Sequence, residues 1–100
     1  MRLIYVTLNN NSEAKKIAHE LFEKDYANCV NFFPITTIYK YKGEVKEEAE
    51  VVLIIKTKEN YYEKVRSIIK KYINYDNFIG QIVVEKINDD FSTWLDDVVK

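Results

Sequence analysis

The sequence predicts an α+β fold of the ferredoxin-like type, β-α-β-β-α-β with an extra C-terminal helix and a long hairpin between the second and third strands. Three observations predict it. Strand-like runs rich in β-branched and aromatic residues recur at Leu3–Leu8, Val30–Tyr41, Glu50–Thr57 and Phe78–Ile87. Apolar stripes at helical spacing separate the first run from the second and the third from the fourth. The two middle runs follow each other directly around Lys42-Gly43-Glu44, where one of only two glycines stands. Two βαβ halves with right-handed crossovers then give an antiparallel sheet with helices on one face.

Each element has its own justification. Leu3–Leu8 is long enough for a strand and too short for a helix. Asn9-Asn10-Asn11-Ser12 breaks it, and Ser12 is the expected N-cap, its hydroxyl accepting from a free helical N–H. Ala14, Ile17, Ala18, Leu21 and Phe22 form one apolar stripe, and the helix ends near Lys24-Asp25.

The stretch from Ala27 to Thr57 dominates the chain. Cys29 to Tyr41, fully extended at roughly 3.3 Å per residue, would reach about 40 Å. A compact domain of this size has a radius of gyration near 13 Å, hence a diameter of about 33 Å. The hairpin must therefore bend, with Pro34 as the natural point, or overhang its own domain. Ile35, Thr37, Tyr39 and Tyr41 share one strand face, and Thr36, Ile38, Lys40 and Lys42 the other. Neither is purely apolar, as suits a strand covered partly by a neighbouring subunit. Val51, Leu53 and Ile55 alternate with Val52 and Ile54, so both faces of the third strand are apolar and the strand should be central.

Thr57 is the expected cap of the second helix, with Tyr62, Val65, Ile68, Ile69 and Tyr72 as its buried stripe. Tyr75-Asp76-Asn77 reads as a turn, and Phe78–Ile87 as a last strand interrupted by Gly80. Asp89 and Asp90 supply a cap and favourable charge for the terminal helix. Its packing face is Phe91, Trp94, Leu95 and Val98. No repeat or linker divides the chain, so residues 1–100 are read as one domain.

Composition narrows the function. Fifteen basic residues against sixteen acidic ones leave a formal charge of −1. No basic field exists to drive nucleic-acid or membrane binding, and neither is expected. A single cysteine excludes an internal disulfide and a cysteine-based zinc cluster. MRLIYVTLNN is too polar for a signal peptide, so a cytosolic location is the default expectation. Catalysis finds no support: Cys29 starts a strand while His19, the only imidazole, lies mid-helix, and a nucleophile needs its base in contact. Metal-ligand spacings and glycine-rich phosphate loops are missing, and no cofactor is implied. The acidic run Glu44–Glu50 reads as a charged turn that keeps an edge soluble. The third strand lacks the adjacent aromatics on which RNA-binding modules of this topology stack bases. Lys56 remains, a charge at the end of an apolar strand that calls for a partner.

ANCVNFFPITTIYKYKGEVKEEAEVVLIIKT resembles the signature of the CutA divalent-cation tolerance proteins. In that family a helix end leads into Ala-x-Cys-Val-Asn, a proline, Ser/Thr-Ile-Tyr-x-Trp-x-Gly, a glutamate and an Ile-Lys-Thr strand end. This chain matches at Ala27, Cys29, Val30, Asn31, Pro34, Ile38, Tyr39, Gly43, Glu50, Lys56 and Thr57. Tyr75 matches the tyrosine of a later His-Pro-Tyr segment, and Trp94-Leu95 matches the final helix.

The resemblance implies a tight homotrimer with hairpins reaching across neighbouring subunits, an association with copper and other divalent cations, and no established enzymatic activity. It also implies kinship with small-molecule sensors of the PII type. On that alternative an anionic ligand would sit in an intersubunit cleft lined by Tyr39, Lys56, Tyr75 and Trp94, paired with Lys56. The family's copper ligands are replaced: Val6 stands for the first-strand cysteine, Tyr72 and Ile73 for the histidines, and Asn74 for the proline. Soft and borderline metals favour thiolate and imidazole, so no metal ligands are assigned. Tyr41 replaces the family tryptophan, Ile35 the glycine after the first proline, and Phe78-Ile79-Gly80 the late Pro-Glu-Ile.

Overall fold

The computed structural model describes the whole chain, Met1–Lys100. Its elements are β1 (Arg2–Leu8), α1 (Asn11–Glu23), β2 (Cys29–Tyr41), β3 (Glu44–Thr57), α2 (Tyr62–Tyr72), β4 (Ile79–Val83) and α3 (Asp89–Val98). The four strands form one sheet in the order β2-β3-β1-β4, with every neighbouring pair antiparallel. That order, with each crossover strand separated from its partner by one inserted strand, is the ferredoxin-like arrangement. β3 is central, as its two apolar faces require.

Alternation along the strands selects the core. Ile4, Val6 and Leu8 of β1 pair with Ile55, Leu53 and Val51 of β3, and all six point to one face. Against them pack Ala14, Ile17 and Leu21 of α1 and Val65, Ile68 and Ile69 of α2. Each such aliphatic side chain removed from water contributes about 1.5–3 kcal/mol. The two helices are also joined by charge. Glu20 of α1 accepts hydrogen bonds from Lys71 and from Tyr72 of α2, and pairs with Lys24 one turn on. The hydrogen bond from Lys71, then that from Tyr72, holds the Glu20 carboxyl well below the usual range, at about 2.

The sheet stops before the hairpin does. β1 pairs with β3 only from Val51 to Thr57. Beyond that, Ile35–Tyr41 and Glu44–Glu50 continue as a two-stranded ribbon in unbroken register. Lys42 (φ 50°) and Gly43 (φ 80°) close it, the paired positive φ values of a two-residue hairpin turn. The molecule therefore measures 46 × 26 × 21 Å, with a radius of gyration of 14.4 Å. Of the two ways to fit so long a hairpin, the chain overhangs. Pro34 lies on an edge strand opposite Val51 without a bulge, its missing N–H being harmless on an outer edge.

Several local expectations are corrected. Asn10, not Ser12, caps α1, its side chain accepting from the Glu13 N–H at 2.9 Å. Thr57 is not a cap but the buried last residue of β3, its hydroxyl donating to the Tyr26 carbonyl at 2.6 Å. α2 starts at Tyr62 with no side-chain cap. The acidic run Glu44–Glu50 is strand rather than turn, and β4 ends at Val83 rather than Ile87.

α3 also departs from the one-sided layering. Its Phe91 ring meets Lys56, which leaves the sheet opposite the face that Ile55 shares with α1 and α2. Only Leu95 is buried within α3, and Trp94 is 47% exposed rather than anchoring a core. An apolar stripe identifies a packing face without saying how much of it the subunit itself covers.

Candidate functional site

The largest concavity is a groove of about 640 Å³ on the sheet face opposite α1 and α2. Its floor is the base of the ribbon, where Thr37 and Tyr39 of β2 stand beside Glu50, Glu48 and Lys46 of β3. Alternation places these residues there: Ile35 opposes Glu50, Thr37 opposes Glu48 and Tyr39 opposes Lys46, all on one face. The far wall is the segment between α2 and β4, from Tyr75 to Phe78.

Hydrogen bonds hold that wall. Asn77 Nδ2 donates to the Thr7 carbonyl at 2.9 Å, and the Phe78 N–H donates to Thr7 Oγ1 at 3.2 Å. The Tyr75 hydroxyl donates to Glu13 Oε1 at 2.7 Å and accepts from the Asn9 N–H at 2.9 Å. Burial, then the bond to Glu13, raises the Tyr75 phenol above its ordinary range. Tyr39 is likewise raised, first by its hydrogen bond to Glu48 and then by burial. The Tyr75 phenol stays protonated and donates to Glu13, and the rings of Tyr39 and Tyr75 both stand as walls of the groove.

The charge of the groove is one-sided. Glu48, Glu50 and Asp76 line it against the single Lys46. The ion pairs of the chain involve Glu20, Glu59, Glu63 and Asp96, and none of the three groove carboxylates. Glu50 is half-buried and takes one hydrogen bond, from Thr37 Oγ1 at 2.8 Å.

Of the residues predicted from sequence, Tyr39 and Tyr75 meet in this groove. Lys56 and Trp94 do not join them within the subunit. Lys56 lines a separate recess of about 190 Å³ with Met1, Ile87, Asn88 and Phe91, at the opposite end of β1. Its ammonium lies 3.6 Å from Cys29 Sγ and 5.3 Å from the Phe91 ring centroid. Trp94 packs edge-on to the same Phe91 at 5.4 Å. Sequence reasoning missed the three carboxylates and Phe91. The alternation of Glu48 and Glu50 with Thr37 and Tyr39 across the hairpin was the available signal for the first group.

No three His, Cys, Asp or Glu side chains converge in a way that could hold a metal ion. Cys29 contacts Lys56, while His19 stands exposed on α1. No helix is long and apolar enough to cross a membrane.

Comparison with known proteins agrees with the fold. A family described as "CutA1 divalent ion tolerance protein" matches residues 2–98. The divalent-cation tolerance protein CutA of Archaeoglobus fulgidus is 34% identical over 98 residues, covering 97% of this chain and 96% of that protein. A CutA homolog of Xenopus laevis is 35% identical over 97 residues, covering 95% of this chain and 64% of that longer protein. A solved structure, the periplasmic divalent cation tolerance protein CutA from Archaeoglobus fulgidus, superposes with a TM-score of 0.94 at 33% identity, covering 100% of both chains.

The periplasmic description of that neighbour overturns the cytosolic expectation. That expectation rested on the polar N-terminus, MRLIYVTLNN. A fold that needs no disulfide is indifferent to the redox state around it, so the cysteine count does not discriminate between compartments.

Proposed function

This chain belongs to the CutA1 divalent ion tolerance family, and on that premise we propose that it acts as a homotrimer with a non-enzymatic binding or signalling role in tolerance of copper and other divalent cations. One observation carries the assembly. The ribbon Ile35–Tyr41/Glu44–Glu50 has no third strand and no helix over it. An isolated two-stranded hairpin is marginal in water, and this one exposes Ile38 at 65% and Val45 at 74%. Both β2 and β4 are edge strands, so two unpaired rows of backbone groups are available to neighbouring subunits. Closed threefold pairing would cover ribbon and edges together.

The tolerance role runs through binding or signalling by the assembly. Its test is complementation. A host lacking its own CutA-type protein, challenged with copper salts, should recover growth when this chain is expressed. Failure to recover with the folded protein present at high level would contradict the role.

A second reading, a PII-like sensor of an anionic ligand, draws support from Lys56, which has no carboxylate partner within the subunit. Thermal stabilisation by an anion that survives Lys56→Ala would count against it.

A further inference from the structure

We propose that the groove between the ribbon base and the Tyr75–Phe78 segment receives a neighbouring copy of this chain, whose Lys56 pairs there with Glu50. The inference rests on the trimer reading and names the charged contact by which one subunit selects the next. It competes with the anionic-ligand reading, because both claim Lys56.

Each member of the pair is short of a partner in its own subunit. Glu50 is a half-buried carboxylate answered by one neutral hydroxyl, that of Thr37. Lys56 is a half-buried ammonium whose contacts are the Cys29 sulfur at 3.6 Å and the Phe91 ring centroid at 5.3 Å. The five ion pairs of the subunit include neither. Covering either charge with a neighbour that brings no opposite charge is costly, so an assembly that buries this face must answer both.

The two cannot answer each other within one chain. Six residues separate them along β3, about 20 Å at roughly 3.3 Å per residue. Even spacing nonetheless puts both on the same sheet face, with Val52 and Ile54 between them. The register adds Phe33, opposite Val52, and Ile82, opposite the Leu3 that itself opposes Lys56. Phe33 is 42% exposed and Ile82 48% in the lone subunit. One face thus carries a negative end, an apolar middle and a positive end.

That pattern selects the occupant. A small cation would satisfy Glu50 and leave Lys56 alone, and a small anion would do the reverse. A second copy satisfies both and covers the apolar middle. Two different patches of opposite charge suit a head-to-tail contact, which closes into a ring when the rotation allows. Around a threefold ring every subunit gives one Lys56 and receives one, so no charge of this kind is left over.

Charge reversal, read by light scattering across a dilution series, tests the proposal. Lys56→Glu and Glu50→Lys should each raise the concentration at which the trimer dissociates by about 100-fold or more. The double exchange Glu50→Lys/Lys56→Glu restores opposite charges across every contact and should regain most of that loss. Circular dichroism and melting curves verify folding. Glu50→Gln, uncharged and of the same shape, carries the test if the reversals misfold, with an expected loss of about tenfold. Wild-type dissociation in Glu50→Gln or in both reversals, or a double exchange no better than the single ones, would overturn the pair. A wild-type protein of one chain mass would overturn the trimer reading and the pair together. A wild-type trimer indifferent to these changes would remove the pair alone, so the two failures are distinguishable.

Discussion

Replacing Ile38 and Val45 by serine probes what the overhanging ribbon is for. The register sets Ile38 opposite Glu47 and Lys40 opposite Val45, so the two apolar side chains are diagonal neighbours on one ribbon face. They point away from the groove and touch no part of the hydrophobic core. Full burial of an aliphatic side chain is worth about 1.5–3 kcal/mol. At 65% and 74% exposure, Ile38 and Val45 still have most of that to gain from a neighbour, about 1–2 kcal/mol each. Three subunits contribute six such side chains, so the double variant should weaken a trimer by about 6–12 kcal/mol in all. The assay is light-scattering mass across a guanidinium series at fixed protein concentration. The variant should dissociate at distinctly lower denaturant than the wild type, while the circular dichroism of its dissociated subunit stays native-like. Dissociation of both proteins at the same denaturant concentration would refute the reasoning, because these residues would then lie outside any interface.

Other perturbations test the packing and the chemistry. Glu20 has its carboxyl lowered from 4.5 to about 2 in the folded chain. Its contribution is therefore present above pH 4.5 and is lost as pH falls towards 2. Urea midpoints of wild type and Glu20→Gln should differ at pH 6 and converge by about pH 2; a constant gap would contradict the assignment. Tyr75→Phe removes the hydroxyl that joins Glu13 to the Asn9 N–H and should cost about 1–2 kcal/mol in chemical denaturation. An unchanged midpoint would show that the loop is held by Asn77 and Phe78 alone. Copper(II) titration followed by calorimetry should give no stoichiometric binding at micromolar copper. His19 stands alone on α1, and the Lys56 ammonium 3.6 Å from Cys29 Sγ opposes a second cation there. Saturable one-to-one binding would show a ligand set assembled between subunits.

Much of the fold was legible because its core obeys simple periods. Ile4-Val6-Leu8 and Val51-Leu53-Ile55 alternate, and Val65-Ile68-Ile69 repeat at helical spacing, so element type and order follow from the pattern. The pattern fails where a segment does not face its own core. Glu44–Glu50 is strand although it reads as a charged turn, because a ribbon without a third layer has no apolar side to display. Caps were misread for another reason. Asn10 and Ser12 are equally suitable by type, and only the path of the backbone decides between them. Thr57 looked like a cap, but its hydroxyl goes to the Tyr26 carbonyl across the sheet end, a contact no local spacing reveals.

The candidate site was half legible. Tyr39 and Tyr75 meet in the groove, but they are far apart in sequence, and the carboxylates beside them become visible only when the hairpin register is known. Lys56 and Trp94 share Phe91 at the other end of β1, on a helix that crosses to the second face of the sheet. Nothing in an amphipathic stripe says which face of a sheet its helix will cover.

The most direct test is the mass of the wild-type protein in solution. Multi-angle light scattering at micromolar concentration should give three times the 11.9 kDa chain mass. A stable particle of one chain mass would leave the ribbon, with Ile38 and Val45 exposed, without a partner and would contradict the account.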